Sequence, residues 1–146
     1  MKTFEFTLSE PIEYSTKGEV REGTSITFYA PKANQRKKVM KLKQTFFQSL
    51  PKGDGTPQQE KQTPNEVPEI DGDAVLFIVA QSTADYAEFI EIGRSVICDR
   101  NAKIDDNEYL TVVTLDKVDI DEMEKMVGQY VANFIVKSAL KSLGKN

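Results

Sequence analysis

The sequence predicts an α+β domain: a small N-terminal antiparallel sheet of two or three strands, an amphipathic helix, a Pro-rich linker and a C-terminal helical part. Three observations predict it. Apolar and polar residues alternate near the N-terminus, the apolar spacing switches to steps of three and four after residue 33, and a broad apolar stripe at helical spacing fills the C-terminal region. Period two sends successive side chains to opposite faces of a strand, whereas i, i+3 and i+4 share one face of a helix.

Over residues 2–8, Phe4, Phe6 and Leu8 fall on one face and Lys2, Glu5 and Thr7 mostly on the other, as in a half-buried strand. Pro11 interrupts this pattern, Ile12 to Tyr14 resumes it, and Ser15-Thr16-Lys17-Gly18-Glu19 reads as a turn. Thr24 to Ala30 is rich in β-branched and aromatic residues and stops at Pro31, which completes the small sheet. Residues 33–50 place Val39, Leu42, Phe46 and Leu50 at steps of three and four, with Lys and Arg on the opposite side. That is an amphipathic helix of four to five turns, ended by Pro51 and Gly53.

Residues 51–70 contain Pro51, Pro57, Pro64 and Pro68 with only Val67 and Ile70 as aliphatic residues. Too little apolar surface is present to offset the entropy of ordering, so the segment is expected to be a flexible linker between residues 1–50 and 71–146. The apolar run Ala74–Ala80 fits a buried strand or a buried helix; two short helices, about 72–81 and 83–98, are preferred, with Ser82 or Thr83 capping the second. Residues 99–108 read as a polar loop, and Tyr109 to Leu115 as a short strand-like or irregular stretch. Asp119 is placed to cap a last helix over about 120–142, with Asp121 and Glu122 in its first turn where the helix dipole favours acids. The helical part is expected to pack on the same core as the sheet.

Composition narrows function by exclusion. The 146-residue chain has no His, which excludes Ser-His-Asp and Cys-His catalysis and His-built metal sites, and its single Cys98 cannot form an intrachain disulfide. The opening Met1-Lys2-Thr3-Phe4-Glu5 lacks the apolar core of a signal peptide, and Ala74–Ala80 is far short of the roughly 20 residues of a membrane span. A net charge of −4 disfavours a general nucleic-acid binder. The charge is nevertheless dipolar: Lys32, Arg36, Lys37, Lys38, Lys41 and Lys43 cluster early, and acids dominate from Asp85 to Glu124. Such a distribution fits solvated helix faces or the docking of a charged partner, including a second copy of the chain.

No motif carries catalysis. Asp99, Asp105, Asp106 and Glu108 lack the spacing of a calcium loop, Gly53 and Gly55 lack the following Lys-Ser/Thr of a phosphate loop, and Cys98 ends an apolar helix face. No cofactor or metal is expected. The candidates that remain are for interaction: Met123, Met126, Tyr130 and Phe134 on the last helix, Phe46 and Phe47 on the first, and the basic face Arg36, Lys37, Lys38 and Lys41.

The segment from Asp119 to Ile135, with its acidic start, Met126-Val127-Gly128-Gln129-Tyr130 and Asn133-Phe134-Ile135, resembles the C-terminal helix of tail assembly chaperones of long-tailed bacteriophages. The opening is also similar, through Leu8-Ser9-Glu10-Pro11-Ile12-Glu13-Tyr14 and a second strand ending at Ala30-Pro31, and Gly72 to Ile97 is similar to the family's short helical pair. The Pro-rich segment and the basic helix depart from the family pattern. The resemblance implies a non-enzymatic protein of the host cytoplasm that binds the tape measure protein and keeps it soluble while tail tube subunits polymerise around it. Such a protein is expected to be absent from the mature virion. The resemblance further implies a frameshift-extended form that recruits the tail tube protein. Gly144-Lys145-Asn146 can be encoded with the slippery heptamer A-AAA-AAC. The alternatives are a structural tail component of the virion and a small nucleic-acid-binding regulator using helix 33–50.

Overall fold

A long hairpin begins the fold. Its strands are β1 (Thr3–Thr16) and β2 (Glu19–Tyr29), in a computed structural model that describes residues 2–51 and 70–139. The turn is tighter than the sequence suggests. Thr16 pairs with Glu19, so only Lys17 and Gly18 lie between the strands, at φ 51° and 79°. Two positive φ values match the twist of a two-residue hairpin, and glycine takes the second at no steric cost. Pro11 does not end β1. The pairing instead slips between Thr7, opposite Ser25, and Ile12, opposite Gly23, and Pro11 sits inside that irregularity on an edge strand, where its missing N–H removes no ladder bond.

The sheet has four strands, not two or three, in the order β1-β2-β3-β4, antiparallel throughout. Strand β3 (Ala102–Asp105) and the first residue of β4 (Glu108–Tyr109) come from the segment expected to be a polar loop; Tyr109 opens the stretch expected to be strand-like or irregular. Both strands belong to the C-terminal half yet extend the N-terminal sheet, with Thr27 opposite Lys103 and Phe28 opposite Ala102. The acids of this segment fasten the hairpins together. The Tyr14 hydroxyl donates to Asp105 at 2.6 Å, and the Thr16 hydroxyl donates to Glu108 at 2.6 Å. The Tyr14 hydrogen bond, aided by the Asn107 backbone N–H, holds the Asp105 carboxyl below its usual range.

The helices lie against the sheet face that carries Phe28. A 3-10 turn (Ala33–Gln35) leads into α1 (Arg36–Ser49), which buries Leu42 and Phe46. The ambiguous apolar run is helical: α2 (Gly72–Ala80) is capped by Asp71, whose side chain accepts from the Ala74 N–H. Helix α3 (Tyr86–Ile97) is capped by Asp85, not by Ser82 or Thr83; the Ser82 hydroxyl is instead engaged with the Val79 carbonyl and the Ala84 N–H. A single turn, α4 (Val112–Leu115), precedes α5 (Ile120–Val131). Asp119 stands at the start of α5, but its side chain makes no cap hydrogen bond. Past Val131 the helix widens into a π-helical stretch over Ala132–Val136, where the Asn133 amide donates to the Gln129 carbonyl at 2.8 Å.

Helix α5 packs against α2, α3 and β1 at once. Its crossing with α2 is close because both helices present glycine. A Cβ on Gly128 would stand 2.7 Å from the Gly72 carbonyl oxygen, and one on Gly72 would stand 2.7 Å from the Gln129 backbone nitrogen. One continuous core results, running from Leu8 and Phe28 through Phe46 and Phe89 to Val136. The expected linker lies, apart from Pro51 and Ile70, outside the described residues, as do the expected end of the last helix and the tail Gly144-Lys145-Asn146.

Candidate interaction surfaces

The stripe singled out on the last helix is largely core. Met126 and Tyr130 are fully buried, as is Phe46; Met123, Phe134 and Phe47 are half-buried. Tyr130 is a strut between α5 and β2. Its ring meets Phe28 edge-on at 5.5 Å between centroids and Phe134 at 4.9 Å, and its hydroxyl donates to the Tyr29 carbonyl at 2.8 Å. Burial pushes its pKa well up, so the hydroxyl stays a donor. The stripe is wide because α5 is covered on several sides, by the first two strands of the sheet and by two helices. Met126, Tyr130 and Phe46 therefore offer nothing to a partner in this conformation. Phe134 keeps one side open, on a cleft of about 230 Å³ shared with Lys2, Asn133 and Lys137.

The basic face is on the surface. Arg36, Lys37, Lys38 and Lys41 are all exposed, and no acid stands in the first turn of α1. Cations at a helix N-terminus oppose the macrodipole, by about 0.3–1 kcal/mol each, so this placement does not stabilise the helix. Two of the four are engaged with α3: the Lys38 ammonium donates to the Ser95 hydroxyl at 2.6 Å, and Lys41 lies 3.7 Å from the Glu88 carboxylate. Between α1, α3 and α4 is a cleft of about 390 Å³, lined in part by Lys38, Glu91, Arg94 and Cys98. Burial pushes the Cys98 thiol up to about 11, so it is protonated at neutral pH and not a nucleophile.

A third surface was not singled out by its sequence. On the sheet face away from the helices, Tyr29, Ala30, Lys32, Arg100, Lys103 and Tyr109 line a cleft of about 380 Å³. The Lys103 ammonium lies over two rings, 5.6 Å from the Tyr29 centroid and 5.1 Å from that of Tyr109. The Lys32 ammonium donates to the Arg100 carbonyl at 2.6 Å and to Asn101 Oδ1 at 3.0 Å. Asn101 is itself fully buried and donates to Gln35 Oε1 at 2.6 Å and to the Val96 carbonyl at 2.8 Å, which joins the end of α3 to the start of α1. A signal for this surface is present in Ala102-Lys103-Ile104-Asp105, whose alternation precedes the turn-forming pair Asp106-Asn107.

Isolated apolar side chains also reach solvent, chiefly Val113 at 73% exposure, Val20 on β2 at 68%, Ile120 at 67% and Phe77 on α2 at 65%. Among the described residues no helix is long and apolar enough to cross a membrane. Compared with protein-family models, with curated proteins and with solved structures, the chain matches none.

Proposed function

We propose that the chain is a tail assembly chaperone of a long-tailed bacteriophage, which binds the tape measure protein in the host cytoplasm and keeps it soluble during tube assembly. The observation that carries this reading is the likeness of Asp119–Ile135, Leu8–Tyr14 and Ala30–Pro31 to that family. It gains support from the way these distant stretches meet. Ser9 donates its backbone N–H to Glu122 at 2.9 Å, and Tyr130 bonds the Tyr29 carbonyl next to Ala30. Segments that carry the likeness are thus one packed unit. A long helical client presents apolar stripes, and Phe77, Val113, Ile120 and the open side of Phe134 are among the apolar groups the helices can offer to them. A frameshift-extended form would recruit the tail tube protein.

Co-expression with a tape measure protein of a long-tailed bacteriophage tests the proposal. The client is expected in the soluble fraction only when the chain is present, and Phe77→Glu is expected to reduce that fraction while leaving the fold's melting temperature unchanged. A client equally soluble without the chain overturns the reading. Recovery of the chain in purified virions would favour a structural tail component. The exposed cations of α1 favour a second reading, a nucleic-acid-binding regulator, which expects oligonucleotide binding that weakens steeply with salt.

A further inference from the structure

We propose that the cleft on the outer sheet face, between Tyr29, Lys32, Arg100, Lys103 and Tyr109, is a binding site for the carboxylate side chains of an acidic peptide segment of a partner protein. Its chemistry does not depend on the chaperone reading.

Charge is the first argument. Three cationic residues line the cleft, no acid lines it, and among the described residues none of the three pairs with a carboxylate. Lys103 is balanced only by the faces of two tyrosines. Lys32 uses two of its three N–H donors on Arg100 and Asn101, which fixes the ammonium and leaves one donor for a ligand. The anchor on this side is a fully buried asparagine, so the cation is positioned before any ligand arrives.

Backbone strain is the second. Arg100 has φ 65°, in the turn three residues past the end of α3, a backbone conformation that glycine adopts at least cost. Among the described residues its guanidinium makes no hydrogen bond or ion pair that would compensate. An arginine in this strained position brings to the cleft a planar fork that matches a carboxylate.

The third is shape. About 380 Å³ is at the low end of ligand clefts, which run roughly 300–1,000 Å³, and it suits one or two side chains. Tyrosine faces line it for the methylene groups of Glu or Asp. A polynucleotide fits less well. Beyond the cleft it would meet Glu5, in the same row of the sheet as Thr27 and Lys103, and then Asp105 and Glu108.

The test is fluorescence anisotropy of a short fluorescein-labelled peptide of alternating glutamate and leucine, titrated with the full chain. A glutamine–leucine peptide, inorganic phosphate and an oligothymidylate serve as comparison ligands. The acidic peptide is expected to bind, and its glutamine counterpart is not. Lys103→Gln and Arg100→Gly are each expected to weaken binding on the order of tenfold, while Lys37→Gln on α1 leaves it unchanged. Arg100→Gly is further expected to raise the melting temperature, since glycine relieves the positive φ. A weaker but more stable variant separates loss of the site from loss of the fold. Equal binding of both peptides, no binding, or full affinity in Lys103→Gln overturns the proposal. Tighter binding of the oligothymidylate, or displacement of the peptide by phosphate at lower concentration than by unlabelled peptide, overturns it in favour of a nucleic-acid site or a simple anion site.

Discussion

The two faces of the sheet are built by neighbouring residues of the same strands, and they behave as different materials. On the inner face Phe28 is fully buried among Phe4, Phe6 and Tyr130. One residue on, Tyr29 opens onto the cationic cleft beside Lys103. The inner residues hold the sheet to α5; the outer ones make few contacts and leave charge uncompensated. Position along a strand therefore says little about a residue's work, and parity says a great deal.

Phe28→Ala gives the largest contrast. It removes the ring that joins β1, β2 and α5, and a cost of about 3–5 kcal/mol is expected in urea unfolding. Thr27→Ala, on the outer face, is expected within about 0.5 kcal/mol of the native protein. Similar losses for the two would break the comparison. Gly128→Ala probes the same inner layer from the helix side. Its Cβ would meet the Gly72 carbonyl, a backbone atom that cannot swing away, so a loss of about 1–3 kcal/mol is expected.

Asn101→Ala lies at the seam between the two faces. It would leave Gln35 and Lys32 without their shared partner, at an expected cost of about 1–3 kcal/mol in the same assay. On the outer face Tyr109→Ala removes one ring from Lys103, and only about 0.5–1 kcal/mol is expected.

The smallest expected effects are those of pH. Asp105 is held below its usual range by Tyr14, so this pair stabilises the fold above pH of about 3.9 and the contribution is lost as pH falls through the lower folded value. Tyr14→Phe is expected to lower the melting temperature at neutral pH and to flatten the acid flank of its profile. At the alkaline end the sign reverses. Burial and a hydrogen bond to Glu124 push Tyr86 up to about 12, so its contribution is complete below pH of about 10 and is lost as pH rises through the folded value. Tyr86→Phe should flatten the profile above pH of about 10; an unchanged profile would deny Tyr86 that role.

Much of the fold was legible because it is written locally. Phe4, Phe6 and Leu8 mark β1, Ile26 and Phe28 mark β2, and Leu42 and Phe46 mark the buried side of α1. The β3–β4 hairpin was not legible as part of the sheet. Ala102–Asp105 is four residues long, and its partner Thr27 is far away in sequence, so no local period reports the pairing. The cleft was hidden for the same reason: Tyr29 and Lys32 come from one half of the chain, and Arg100, Lys103 and Tyr109 from the other.

By itself the sequence determined the fold class, strand over residues 4–8 and 24–29, the basic exposed side of α1 and the exclusion of His-based chemistry, because periodicity and composition are properties of short stretches and counts. Only the tertiary structure decided what the stripe on α5 faces. A row of Met126, Tyr130 and Phe134 looks the same whether it covers a core or a partner, since burial rewards apolar area without regard to whose area lies opposite. Here the facing surfaces are the chain's own β2, α2 and α3, and the cationic cleft is on the other side of the sheet.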